Sequence, residues 1–175
     1  YGTTGNFTLS YSIDSGSTWN NIGTSAGTAT YRDWAVPNVA TGKAMVRIIR
    51  GSLGDTSDHT FTIIRKPTNL TVTKVCPTFM EVRWTAVAGA DEYEVYLLGN
   101  KYMDSVGRTS ATTFQIPITD PNMGQWFSVA AVKSNSQNNV GRRADAKFQA
   151  GGLFNCPQPM EAGVTALVSP SFSKC

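Results

Sequence analysis

The chain has 175 residues, 41% hydrophobic and 15% charged, with a net charge of +3, which is enough to bury one or two cores without help from a metal or cofactor. Ser, Thr, Asn and Gly stand where Lys and Glu usually dominate, a composition of all-β extracellular modules rather than of a helical cytosolic enzyme. The basic residues, among them Arg32, Arg47, Arg83, Lys133 and Arg142, are scattered and form no basic stripe with aromatic platforms for nucleic acid, and no run of about 18 apolar residues is present to span a membrane.

The chain opens at Tyr1 with no basic and apolar leader, so an export signal is expected to have been removed or to lie outside this piece. From Phe7 to Ile64 short alternating runs predict strands: Phe7, Leu9 and Tyr11 share one face, as do Val46 and Ile48, and Phe61 and Ile63. Turns are expected at Asp14 to Ser17, Gly23 to Gly27, Pro37-Asn38 and Gly51 to Asp58, which carry the Gly, Asn, Asp and Ser that tight turns need. Residues 1–65 are short for a sandwich of roughly 100 residues. They are therefore expected to be an N-terminally incomplete sandwich, with a face or edge left for missing strands to cover.

Within this part, Ser12-Ile13-Asp14-Ser15-Gly16-Ser17-Thr18-Trp19 matches the Asp-box pattern Ser-x-Asp-x-Gly-x-Thr-Trp. Asp14 is expected to accept backbone N–H bonds inside a hairpin turn, Gly16 to supply a positive φ, and Trp19 to pack beneath. The motif recurs in sialidases, but a sialidase needs several copies with an arginine cluster and a tyrosine nucleophile. A structural role is therefore expected.

After the junction Arg65-Lys66-Pro67, further inward-facing sets follow: Leu70 and Val72; Met80, Val82 and Trp84; Tyr93, Val95 and Leu97; Phe114 and Ile116; Phe127, Val129 and Ala131. A closing strand is expected from Arg142 to Phe148. Turn signals at Ala88 to Asp91, Gly99-Asn100, Asp120 to Gly124 and Ser134 to Gly141 give residues 66–150 the spacing of a seven-strand Greek-key sandwich. Residues 151–175 begin as a linker, and Val164, Ala166 and Val168 alternate as though a further β-domain were starting.

No constellation argues for a reaction, and no cofactor or metal site is implied. Ser57-Asp58-His59 imitates a triad, but sequence neighbours on a strand entry point to opposite faces. Asp33, Asp55 and Asp58 are candidate calcium ligands without the spacing of a calcium loop. Glu92 and Glu94 alternate with Tyr93 and Val95 and are expected on the wet face. Asn6-Phe7-Thr8 and Asn69-Leu70-Thr71 match the N-glycosylation sequon, and Asp104-Ser105-Val106 resembles a short O-glycosylation signal. Trp126, Tyr102 and Tyr31 are candidate ligand-contact aromatics.

Tyr11 to Asp14, Trp19, Trp34-Ala35-Val36-Pro37, Val46-Arg47-Ile48 and Ser57 to Ile63 together resemble an immunoglobulin-like module found beside peptidase and adhesion domains in large secreted proteins of Bacteroidota-type bacteria. Residues 66–150 resemble a fibronectin type III domain of the same class, through Pro67, Leu70, Val82-x-Trp84, Ala90-x-x-Tyr93-x-Val95, Trp126 to Val132 and Gly141-Arg142-Arg143-x-x-Ala146. Gln125 stands where most type III domains place the corner tyrosine, and no Arg-Gly-Asp is present. Residues 162–170 resemble the opening strand of another immunoglobulin-like repeat.

In a type III sandwich the first turn and the exit of the last strand lie at one pole. The resemblance therefore implies a Cys76–Cys156 disulfide, with a Cys156–Cys175 bond or three free thiols as the alternatives. It also implies a non-catalytic spacer, presentation or adhesion segment of a secreted or cell-surface protein, exported by the type IX secretion system. Its partners would be neighbouring domains, the secretion machinery, and surface glycans or proteins. An accessory region of a secreted subtilisin-like peptidase and a carbohydrate- or protein-binding module are the alternatives.

Overall fold

The computed structural model describes residues 5–134 and 139–156. Val164 to Val168 and Cys175 lie outside them, as does part of the Ser134–Gly141 turn. The described residues form thirteen strands in three sheets. The chain is all-β, with sandwiches in tandem.

The N-terminal sheet contains β1 (Phe7–Ser12), β2 (Asn20–Ser25), β3 (Thr41–Arg50), β4 (Leu53–Thr56) and β5 (Phe61–Ile63) in the order β2-β1-β3-β4, with β5 pairing the first part of β3. All pairs are antiparallel. Leu9 lies opposite Ile48 and Tyr11 opposite Val46, so the apolar alternation does select one face. That face stays half exposed: Trp34 from the β2–β3 connection lies on Tyr11 with ring centroids 5.1 Å apart, while Ile48 and Leu53 are open to solvent. The fully buried positions of β1 and β3 are small, Ser12 and Ala44.

Two elements differ from the sequence expectation here. Gly51 to Asp58, expected to be one turn, contains β4, because only Gly51 and Ser52 are needed to reverse the chain onto β3. Gly23 lies inside β2 rather than opening a turn. Its φ of 138° is a conformation glycine permits, and the Arg32 side chain crosses over it to donate to the Thr24 carbonyl at 2.7 Å.

Residues 66–150 form two facing sheets. One runs β10-β7-β6 and the other β12-β11-β8-β9, with β13 also on β11. The strands are β6 (Thr68–Val75), β7 (Phe79–Thr85), β8 (Glu92–Leu98), β9 (Met103–Thr109), β10 (Thr113–Pro117), β11 (Gln125–Val132), β12 (Val140–Arg143) and β13 (Lys147–Gln149). With β12 and β13 counted as one broken strand, this is the seven-strand order of a fibronectin type III sandwich. Leu70, Met80, Val82, Trp84, Tyr93, Val95, Ile116, Phe127, Val129 and Ala131 form one core, contributed by both sheets. Tyr93 meets Trp84 edge-on at 5.2 Å, and its hydroxyl accepts the Val87 N–H at 2.8 Å. That bond satisfies a backbone donor in the β7–β8 turn.

The closing strand expected over Arg142 to Phe148 breaks at Ala144-Asp145-Ala146. The Ala144 N–H donates to the Val129 carbonyl, and the buried Ser128 hydroxyl donates to the Ala144 carbonyl at 2.7 Å. At the break Ala144 is thus hydrogen-bonded through both its N–H and its carbonyl. Glu94, expected on the wet face, does point outward but is largely covered, ion-paired to Arg108 at 2.9 Å. Burial would raise its pKa, but hydrogen bonds from Ser105 and Arg108 outweigh that and hold it below the usual carboxylate value.

Cys76, after β6, is joined to Cys156, beyond β13, by a disulfide that closes a separation of 80 residues. Replacing both with Ser should lower the unfolding free energy by about 3–5 kcal/mol through the entropy regained by the unfolded chain. Denaturant unfolding of this variant against the parent checks it: a loss below about 1 kcal/mol would show that the covalent link hardly constrains the unfolded chain.

Candidate functional sites: the hairpin box, the joint and the exposed aromatics

The hairpin box sits between β1 and β2. Gly16 (φ 86°) and Ser15 (φ 60°) carry the left-handed turn. The Ser12 hydroxyl accepts the Gly16 N–H at 2.8 Å and donates to Asp14 Oδ1 at 2.7 Å. Asp14 also accepts the Thr18 N–H at 2.9 Å and the Thr18 hydroxyl at 2.6 Å. The bond from Ser12, followed by those from Thr18, holds the Asp14 carboxyl at about 2, below its ordinary 3.8. Trp19 lies next to Gly16 and carries the Arg47 guanidinium over its ring at 4.1 Å. Within the turn Ser12, Asp14 and Thr18 thereby satisfy one another, the Ser15 N–H and the Ile13 carbonyl are bonded to the Lys43 carbonyl and the Thr41 hydroxyl of β3, and Trp19 is capped by a cation.

The Ser57-Asp58-His59 segment falls in the β4–β5 loop. Ser57 is engaged with β3: its N–H donates to the Val46 carbonyl at 2.9 Å and its hydroxyl accepts the Val46 N–H at 3.2 Å. Asp58 and His59 are exposed. No group of three His, Cys, Asp or Glu side chains with metal-binding geometry occurs among the described residues. Asn69 has φ 53° and spends its side-chain amide on the Thr85 hydroxyl at 3.0 Å.

A contact that the sequence did not announce joins the N-terminal sheet to the following sandwich. Ile64, just past β5, packs against the sandwich core, and β5 lies beside β12. Two glycines make the approach possible. A Cβ on Gly89, in the β7–β8 turn, would collide with the Ala40 methyl, and a Cβ on Gly141, in β12, would collide with Ile64. Gly89 also has φ 77°. The same end is closed by Asp91, whose carboxylate accepts from Lys133 Nζ at 2.8 Å and from the Ser134 N–H at 2.9 Å.

The three aromatics singled out from the sequence are exposed but do not form one site. Tyr31 (79% exposed) lies on the β2–β3 connection beside an open groove lined by Thr24, Ser25, Thr28 and Asp33. Tyr102 (69%) tops the β8–β9 turn, with Lys101 Nζ 5.6 Å from its ring centre. Trp126 (45%) faces outward from β11, with its ring 5.2 Å from that of its cross-strand neighbour Phe148. In the sequence Phe148 reads as the end of the closing strand, and nothing there marks it as a surface partner of Trp126. Its pairing with Trp126 follows only from the register that the break sets.

No family model matches the chain, and no curated protein matches it. Solved structures do. FN3tt shares 18% identity at a TM-score of 0.43, covering 51% of this chain and 98% of that one. The sixth fibronectin type III domain of human fibronectin type III domain containing protein 3 shares 16% at 0.43, covering 55% and 93%. A two-domain fibronectin type III segment of chicken tenascin shares 13% at 0.45, covering 83% of each chain. The fold assignment rests on the strand order and core described above.

Because the folded Asp14 pKa is lowered, its contribution to stability is present above the ordinary value near 3.8 and is lost as pH falls toward about 2. Asp14→Asn should therefore weaken the hairpin at pH 6, and the gap between variant and parent should shrink as the pH drops to about 2. Amide exchange in β1 and β2 across this pH range reads both; a gap independent of pH would assign the Asp14 effect to shape rather than charge.

Proposed function

We propose that this chain is a non-catalytic spacer and presentation segment of a large secreted, multidomain surface protein, divided into modules at 1–65 and 66–150 with 151–175 leading onward. The observation that carries this reading is the joint: Ala40 and Ile64 seated against Gly89 and Gly141. The N-terminal sheet meets the second sandwich through complementary shape rather than across a long linker, which supports a set angle between them, as a spacer needs. The disulfide fits an oxidising, extracellular setting. The placement in a Bacteroidota-type surface protein, export by the type IX secretion system and contact with that machinery are proposed with it on the strength of the sequence resemblance, as is a parent of either adhesin or subtilisin-like peptidase type. In the peptidase case the same two modules serve as its accessory tail.

A second reading makes the segment a carbohydrate- or protein-binding module, and the observation that favours it is the exposed Trp126–Phe148 pair. The two readings part on one experiment. Backbone amide shifts of the chain titrated with a panel of bacterial and host surface glycans should stay flat at Tyr31, Tyr102 and Trp126 if the segment only spaces. Saturable shifts at any of the three, abolished by its replacement with Ala, would establish binding and overturn the pure spacer.

A further inference from the structure

Strand β6 runs from one pole of the second sandwich to the other. It follows the junction and pairs with the end of β7, Thr68 opposite Thr85, beside the turn whose Gly89 receives Ala40 at the joint. Its last residue, Val75, lies opposite Met80 at the far pole, and Cys76 comes next. The strand is an edge of its sheet and is already extended, its 8 residues covering about 27 Å. Leu70 and Val75 anchor it in the interior, and Lys66, at its entry, is ion-paired to Asp145 at 2.8 Å.

The chain leaves the module at the point where β6 ends. Gly151 packs on the Asn122 backbone with no room for a Cβ, and the Gly152 N–H donates to the Pro121 carbonyl at 2.8 Å. Asn155 then closes on Val75 with two bonds: its N–H donates to the Val75 carbonyl at 3.1 Å, and its Oδ1 accepts the Val75 N–H at 2.5 Å. The disulfide joins the residues that follow each of them, Cys76 and Cys156. Entry at Lys66 and exit at Cys156 are therefore linked by β6 and one covalent bond, and residues 77–155 hang from that link as a side loop.

We propose that the second sandwich is a tension-bearing tether in which the load bypasses the fold. Tension arriving through the junction runs along β6, crosses the disulfide and leaves at Cys156. The pulls on the two ends of β6 balance within the strand, so they put no net shear on its ladder with β7. The strand has little length to give, because a chain spans at most about 3.6 Å per residue. Its slack is confined to two irregularities, between Thr68 and Thr71, where Asn69 has φ 53°, and between Val72 and Lys74. Strands β7 to β13 all lie in the side loop and carry no load. Without the covalent bond the same tension would pass through the Asn155 and Gly152 hydrogen bonds and then pull the sandwich apart. The proposal deepens the spacer reading and rests on it for its role in the parent protein: the joint sets an angle, and the taut strand sets a length.

The test stretches the full chain, held by its two ends in optical tweezers without reductant, beside the double variant Cys76→Ser, Cys156→Ser. The parent should show the yielding of the N-terminal sheet and no step above about 1 nm from the second sandwich. The variant should show one further step, and its final length should exceed the parent's by about 26–29 nm, the span of the 80-residue separation that the disulfide closes. Slowed amide exchange in β7 and β8 at zero load checks that the variant is folded. If it is not, the parent alone decides, because its final length must fall short of the fully extended chain by the same amount. Equal final lengths in the two chains would overturn the proposal, as would a second large step in the disulfide-bonded parent. Exchange at β5 and β12 reports the joint separately, so a failed load path leaves the spacer reading standing, and a loosened joint leaves the difference in length unchanged.

Discussion

Strand β11 is buried over six consecutive residues, Phe127 to Val132, and this two-sided burial organises the second sandwich. Phe127, Val129 and Ala131 fill the core, while Ser128, Ala130 and Val132 point to the outer face and are covered all the same. The cover comes from long side chains on the flanking strands. Tyr96 and Glu94 lie opposite Ser128 and Ala130, and Arg143 pairs with Ala130 and crosses the Tyr96 ring. Burial and the Glu94 charge raise the Tyr96 pKa, so its phenol stays neutral and can lie beside that cation and carboxylate. A central strand sealed on both faces is hard to displace, because any shift exposes apolar surface on one side and strips hydrogen bonds on the other.

The two ends of that strand lead to different surfaces. Val132 leads to Lys133 and Ser134, which hold Asp91 beside the glycine-lined joint, and Trp126 leads to the apolar far end. The N-terminal sheet is organised differently, around a turn rather than a core. Its buried positions are small, and its order depends on the hydrogen-bonded box in which Ser12, Asp14 and Thr18 satisfy one another and on Arg47 stacked over Trp19.

Much of this was legible in the sequence because period-two alternation maps directly onto a half-buried strand: the inward sets of Met80-Val82-Trp84, Tyr93-Val95-Leu97 and Phe127-Val129-Ala131 are core residues. Strand β9 was not legible as such. Met103-Asp104-Ser105-Val106-Gly107 lacks alternation because it lies at an edge, and Gly107 makes room for the Phe114 ring. The β4 strand hid inside a run of turn residues for the same reason. The break at Ala144 to Ala146 has no local signal, since it is stabilised by Ser128 from another strand. The joint was the least visible feature. Gly89 and Gly141 read as ordinary turn glycines, and only the approach of Ala40 and Ile64 shows what their missing side chains permit. A contact made by absence leaves no residue type to recognise.

The claim on which the account rests is that the N-terminal sheet and the second sandwich move as one body through that joint. Residual dipolar couplings of the backbone amides, measured on the full chain in a weakly aligning medium, test it directly. If the joint holds, the couplings of β1–β5 and of β6–β13 fit a single alignment tensor with the described geometry, and Gly141→Val separates them into two. Two different tensors in the parent chain would contradict the account, because a spacer whose halves reorient independently sets no angle.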